Sequence, residues 1–480
     1  MKTIAIIGGG FRGVGCLKVL KEKGFHVDLY EKYDDIGGVW HPSNNYKGLR
    51  IHTPAKLNQF EDFPYPANID VTERIESKQV YEYLRSYSTH FDLFKHMKFN
   101  SAVHEIHYDS NTKKSVLVVG DDHTRTVPYD YVINTNGFSD RHIPEFKNAD
   151  QFKGKIIHSF EATDELINKL ISENKKVTIL GAGKTAADLI CAIKRLGVNI
   201  TWLYRTPYYF FRYKLFHDNL RKAVSNEPTS LSFKMKLLFG FMLGNVFPKL
   251  ACQFWRMNNI IDTYGERHSD YRKFHVALVD DGEMDVLKEC SKYYSVRGEI
   301  DRFEENGYYT KENRFIEADT VICCTGSSGA KWMSDIFVDG EKLDISKIFK
   351  AYRGKVIPQV PNLIFTAYHH FAMGLGDGEI QGKWINNYIL GEYSSEYLDK
   401  HALKFEHPFF QKLILFDSSD YFFPSFMKMQ FDFIHNYELG PIEYVAFVYS
   451  FFLNAAQAKP LSFKHYPKEK KAAALKAAVH

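Results

Sequence analysis

Two glycine-rich stretches carry the most specific chemistry in this chain. Gly8-Gly9-Gly10-Phe11-Arg12-Gly13 lies near the start, and Gly181-Ala182-Gly183-Lys184-Thr185-Ala186 lies much further on. Each follows an apolar β-type run, Ile4-Ala5-Ile6-Ile7 or Val177-Thr178-Ile179-Leu180. Each leads into a helix-like stretch that ends near a glycine, Gly24 or Gly197. A strand, a tight glycine turn and a helix N-terminus make a seat for a pyrophosphate. Backbone N–H groups and the positive end of the helix dipole meet the phosphates, and small residues let the backbone come close. Two such seats in one chain point to two dinucleotides with electrons passing between them.

The residues that close each unit differ. The second strand of the first unit, His26 to Tyr30, ends at Glu31, where a carboxylate accepts hydrogen bonds from adenosine ribose hydroxyls. The corresponding strand of the second unit, Ile200 to Tyr204, ends at Arg205. An acid there would repel a 2′-phosphate, whereas a guanidinium grips it in a bidentate fork. The expected pair is FAD on the first unit and NADPH on the second. Lys184-Thr185 imitates the end of an ATP-binding P-loop, but that pattern needs glycine where the chain has Thr178, so ATP hydrolysis is not supported.

The elements that must position these residues are those of an α/β protein. With 480 residues, 45% apolar and 25% charged, the chain can build two or three domains and a large core. A net charge of +4 and a mean hydropathy of −0.33 give no reason to invoke nucleic acid as a partner. Six scattered cysteines without a C-x-x-C pair argue against a disulfide framework, a zinc site or a redox dithiol. His369-His370 lacks a partner at ligand spacing, so no metal is expected. The opening apolar run breaks into glycines too early for a signal peptide, and no apolar run reaches the roughly 20 residues of a membrane span. A cytoplasmic protein is the default expectation.

The order along the chain predicts two Rossmann-like dinucleotide-binding domains, the FAD domain being discontinuous. Residues 1–148 form its first part, 149–318 the NADPH domain, 319–400 the return, and 401–480 a helical C-terminal segment with a tail. Residues 35–66, rich in glycine and proline, suit a loop folded over a ligand, and residues 77–98 read as a helix with Tyr81, Leu84 and Tyr87 on its apolar face. The run from Asp319 to Gly326 reads as the strand on which the chain returns to the first domain. The aromatic and basic stretch 206–275 reads as a mostly helical insertion. Peripheral membrane contact or a homodimer would use such a surface, although buried helix packing explains it more simply.

These segments, in this order, resemble the flavin-containing monooxygenases, the class B single-component flavoproteins. The resemblance runs over about residues 1–395. It is carried by the first fingerprint with Glu31, by Gly37-Gly38-Val39-Trp40, and by Asp62-Phe63-Pro64-Tyr65-Pro66. The most specific segment, Phe152-Lys153-Gly154-Lys155-Ile156-Ile157-His158, precedes the second fingerprint, and Thr325-Gly326 and Glu379-Ile380-Gln381 follow it. Two departures stand out. Ala162 occupies the place of an aromatic residue, and Leu49-Arg50-Ile51-His52-Thr53-Pro54 is similar to the plant and bacterial branches rather than the animal one.

The resemblance implies that Gly8, Gly10, Gly13, Glu31, Gly38, Trp40 and Gln381 line FAD. It implies that Gly181, Gly183, Lys184, Thr185, Ala186 and Arg205 hold NADPH, and that His52 and Thr53 stand beside the isoalloxazine as the catalytic candidates. His158 is expected to order the linker rather than to catalyse. The implied reaction reduces FAD with NADPH, captures O₂ as a C4a-(hydro)peroxyflavin in a dry site, and passes one oxygen atom to a small molecule. A soft nitrogen or sulfur nucleophile, or a ketone by Baeyer–Villiger chemistry, would receive it. The alternatives are a two-dinucleotide reductase or NADPH oxidase, and a non-enzymatic FAD-fold binding protein. A disulfide reductase would need the missing dithiol, and a scaffold has no use for a second fingerprint ending in Arg205.

Overall fold

Ile4, Ala5, Ile6 and Ile7 are at most 3% exposed, which is what a parallel strand covered on both faces requires of its sequence. In the computed structural model, residues 1–52, 54–137, 141–214, 248–259, 261–265, 274–326, 334–366 and 377–404 are described. The strand Thr3–Ile7 is central in a five-stranded parallel sheet ordered Leu363–Phe365, Tyr131–Asn134, Thr3–Ile7, His26–Tyr30, Met97–Lys98. A second five-stranded parallel sheet is ordered Ser295–Arg297, Asn199–Tyr204, Lys176–Leu180, Thr320–Cys323, Lys155–His158. Both glycine turns therefore lie at the C-terminal end of an inner strand, the place where open α/β sheets bind ligands.

The motif helices are Phe11–Glu22 and Lys184–Lys194. Their buried faces join separate cores, one around Ile4, Leu17 and Leu29 and the other around Ile179, Leu189 and Trp202. The other face of the first sheet is covered by a mixed sheet in which Val103–Asp109 pairs antiparallel with Lys114–Val119 and parallel with Asp335–Val338.

Three expectations need correction. The strand Thr320–Cys323 pairs with Lys155–His158 and Lys176–Leu180, so it is an inner strand of the second sheet rather than a return to the first. A buried apolar strand carries no mark of which sheet it joins. The chain re-enters the first unit with Asp335–Val338, which pairs with Val103–Asp109, and supplies the sheet strand Leu363–Phe365. The helix expected over 77–98 ends at His90, because Asp92 turns left-handed at φ 52° and a 3₁₀ turn and short strand follow. Its buried aromatic face uses Tyr83 and Tyr87 with Leu84, while Tyr81 is only half-buried. Within 206–275, the described residues form a three-stranded sheet of Tyr209–Arg212, Ile261–Thr263 and Phe274–Val279 and one helix, Pro248–Met257. The aromatic run Tyr208 to Phe211 has strand propensity that outweighs the helical reading.

Candidate active site

The first turn is tied down from three sides. Gly8 donates its N–H to the Tyr30 carbonyl at 2.8 Å, and Thr135 Oγ1 donates to the carbonyls of Ile7 and Gly8 at 2.9 and 3.0 Å. A Cβ on Gly13 would lie 1.9 Å from the Gly8 oxygen, so no other residue fits there without moving the turn. Glu31 is buried at the strand end; its carboxylate accepts the Gly9 N–H at 2.5 Å and the Tyr33 N–H at 3.0 Å. One lone-pair position is thus spent on the turn and one on the Tyr33 N–H, and others remain for ribose hydroxyls.

The Gly37–Trp40 segment crosses this turn. Gly37 donates its N–H to the Gly9 carbonyl at 2.9 Å, and a Cβ on Gly38 would stand 3.0 Å from the Gly10 Cα. Asn44 Nδ2 holds the Gly38 carbonyl at 2.8 Å. Trp40 Nε1 is buried without a hydrogen-bond partner among the described residues. A buried indole N–H left unpaired costs about 1–3 kcal/mol, which an acceptor on a bound molecule would offset. The glycine cradle, the Glu31 carboxylate and this orphan donor fit a flavin dinucleotide.

The second turn has the same geometry. Gly181, at φ 137°, donates its N–H to the Leu203 carbonyl at 3.0 Å, and a Cβ there would meet the Cys324 oxygen at 2.6 Å. Trp202 Nε1 and Tyr264 OH hold the carbonyls of Gly181 and Ala182 at 2.7 and 2.6 Å. Gly183 caps the helix, and Ala186 is fully buried against the sheet, where a larger side chain would push helix and strand apart. Arg205 stands at the strand end with its side chain 76% exposed, its Nη1 3.0 Å from Glu299 Oε1. Lys311 and Arg205 together hold the Glu299 carboxyl below its ordinary range.

Lys184 behaves otherwise than its place after Gly183 suggests. Its ammonium is buried and paired with Asp188 one turn along, with Glu283 at 3.9 Å. Burial pushes the Asp188 carboxyl up, and Lys184 works against that shift. Tyr46 OH donates to Asp188 at 3.2 Å, and a Cβ on Gly48 would meet Ala192 Cβ at 3.1 Å. Lys184 is thus part of a contact in which the loop from the first turn docks on the second motif helix. Thr185, next to it, is half-buried. One loop, residues 37–49, therefore touches both seats.

Gln381 lies in a buried polar cluster. It is fully buried, and its amide is held by Lys355 Nζ at 2.6 Å and Asp377 Oδ1 at 3.2 Å. His52 lies half-buried beside the buried Ile51, and Thr53 lies outside the described residues, as do His369, His370 and the segment from 405 onward. His158 is 2% exposed; its Nδ1 accepts the Phe160 N–H and its Nε2 faces the Gly326 carbonyl at 3.2 Å, a bracing role. Ala162, the departure from the aromatic, accepts the Lys47 N–H at 3.0 Å on its carbonyl. Sequence reasoning missed Tyr46 and Asp188, whose meeting no local pattern announces.

Among the described residues, no group of three His, Cys, Asp or Glu side chains could hold a metal, and no helix is long and apolar enough to cross a membrane. Cys16, Cys191, Cys290, Cys323 and Cys324 are buried, free thiols, and burial pushes each one's pKa up.

Comparison with known proteins agrees with this geometry. Residues 1–385 match the family model described as flavin-binding monooxygenase-like. The chain is 26% identical over 450 residues to the Arabidopsis thaliana protein named "Probable flavin-containing monooxygenase 1", covering 80% of this chain and 82% of that one. It is 28% identical over 334 residues to the 4-hydroxybenzoate brominase (decarboxylating) of Marinomonas mediterranea, covering 68% and 62%. In fold it is similar to an open crystal structure of cyclohexanone monooxygenase, with a TM-score of 0.61 and 20% identity over 81% of this chain and 88% of that one.

Proposed function

The chain belongs to the flavin-binding monooxygenase-like family, and from that premise we propose that it is an NADPH-dependent monooxygenase with FAD on the Gly8–Gly13 turn and NADPH on the Gly181–Ala186 turn. The observation that carries this reading is the pair of seats with opposite charges at their strand ends, Glu31 and Arg205, bridged by one loop. FAD, when bound, supplies the centre at which electrons from NADPH activate O₂. The net reaction converts substrate, O₂, NADPH and a proton into oxygenated substrate, water and NADP⁺.

The chain's own groups have separable tasks. Gly8, Gly10 and Gly13 leave room for the FAD pyrophosphate at the helix N-terminus, and Glu31 takes the ribose hydroxyls. Trp40 offers its unpaired N–H, and Gly38 brings the covering segment against the turn. Arg205, exposed and held by Glu299 at the rim, exchanges that partner for a 2′-phosphate. Gly181, Gly183 and Ala186 let the nucleotide approach the backbone, with Thr185 at the same helix end. We assign to His52 and Thr53, on the strength of the family resemblance, the task of holding or moving a proton beside the flavin ring. The oxygen acceptor we propose is a soft nitrogen or sulfur nucleophile or a ketone.

Purified protein is expected to be yellow and to be bleached by NADPH without air. On readmitting O₂, a screen of sulfides, amines and ketones read as NADPH use coupled to product, with ¹⁸O₂ label in that product, identifies the acceptor. A colourless protein that neither takes up FAD nor oxidises NADPH would sink the proposal.

A further inference from the structure

The seam between the first motif helix and the helix Asp377–Gly391 holds a buried polar chain that no motif announced. The helices meet backbone to backbone: a Cβ on Gly15 would lie 2.6 Å from the Gly378 carbonyl carbon, and one on Gly378 would lie 2.5 Å from the Phe11 oxygen. There Arg12 Nε pairs with Asp377 Oδ2 at 2.5 Å. Gln381 Nε2 donates to Asp377 Oδ1 at 3.2 Å, and Lys355 Nζ donates to Gln381 Oε1 at 2.6 Å. All four residues are at least nine-tenths buried, and Lys355 is wholly so. Two cations and one anion leave one net positive charge when Lys355 is protonated. Arg12 stands in the first turn of the motif helix, between Gly10 and Gly13 in the sequence, so the cluster is tied to the helix end that would seat a pyrophosphate.

We infer that Lys355, acting through Gln381 and Asp377, is a positioning residue of the FAD seat, its ammonium holding the Arg12–Asp377 pair and favouring the anionic pyrophosphate at the turn. This rests on the reading that the first turn takes FAD. Burial pushes Lys355 down to about 7; Asp377 opposes that shift and Arg12 adds to it. The groups facing Lys355 are Arg12 and Cys16 from the first motif helix, and Asp377, Gln381 and the Trp384 ring, 5.3 Å from Nζ, from the return helix. Cys16 stays a neutral thiol, since burial pushes its pKa up. On the loop of Lys355 itself, Arg353 packs over Tyr352. The sign follows: below about pH 7 the cluster carries its extra charge and FAD is held, and above it the amine is neutral and FAD is released faster.

The test is flavin loss from the diluted holoenzyme, followed by free-flavin fluorescence at about pH 6 and about pH 8.5. Loss of one unit charge from the cluster predicts flavin release about fivefold faster at the higher pH. Lys355→Met should release FAD at the fast rate at both pH values, and Lys355→Arg at the slow rate at both. A wild-type rate independent of pH, or a Lys355→Met protein with the wild-type slope, overturns the inference while leaving FAD binding intact. A protein that never takes up FAD removes both this inference and the reading beneath it. The wild-type profile and Lys355→Arg keep the test decisive where Lys355→Met does not fold.

Discussion

Behind the first glycine turn stands a buried acid, Glu31, bonded to the Gly9 N–H; at the edge of the second stands an exposed cation, Arg205, bonded to Glu299. The strand–turn–helix plan is the same at both, and each holds a glycine whose Cβ would strike a carbonyl oxygen, Gly13 against Gly8 and Gly181 against Cys324, though at different places in the turn. The surroundings are opposite. The first turn is crossed by the Gly37–Trp40 segment and backed by the Arg12–Asp377 pair. The second has its nearest lysine, Lys184, turned inward to Asp188 and its arginine out in water. A buried carboxylate bonded to the turn suits a cofactor that stays, since no water competes for it. A rim guanidinium whose ion pair is worth little in water suits a nucleotide that comes and goes.

Substitutions can break or sharpen this contrast. The largest effect on nucleotide binding is expected for Gly13→Ala, where overlap with the Gly8 oxygen costs about 3 kcal/mol, roughly a hundredfold in FAD retention. The protein should purify nearly colourless. In the second turn, Gly181→Ala, whose Cβ would meet the Cys324 oxygen, should stay yellow and lose bleaching by NADPH; loss of flavin in both would show that the seats are not independent.

Arg205→Ala should come next, raising the KM for NADPH about tenfold to thirtyfold, as expected for losing a charge-assisted hydrogen bond to phosphate. Steady-state assays with NADPH and NADH decide it, because equal effects on the two nucleotides would take away the 2′-phosphate role.

The smallest effect on binding is expected for Lys184→Met. The KM for NADPH should stay within about twofold, while the melting temperature falls by roughly a few degrees because Asp188 loses its buried partner. A large rise in KM with unchanged melting would return Lys184 to the phosphates.

Much of this contrast is legible in the chain itself, and the reason is locality. The apolar runs, the glycines and the residues ending each second strand lie within one strand–turn–helix–strand unit, where period and backbone sterics speak directly. Legibility fails where partners are far apart. Arg12 is visible inside the fingerprint, yet nothing near it points to Asp377. Gln381 belongs to a matching segment, but its amide faces Lys355 and Asp377, a consequence of which side of the return helix meets the first motif helix. Thr320–Cys323 reads as a buried strand, and the choice between two parallel sheets is made by its neighbours, not its residues.

The amino-acid order alone determined two nucleotide units of unequal charge, with the acid ending one second strand and the cation the other. Only the tertiary structure decided which side chains serve the turns and which serve the seams between elements. It turned Lys184 and Gln381 inward, set Tyr46 on Asp188, and brought Arg12, Asp377 and Lys355 into one buried cluster. The physical reason is that a buried charge must find a partner wherever the packing places one, and that partner's distance along the chain carries no information about its distance in space.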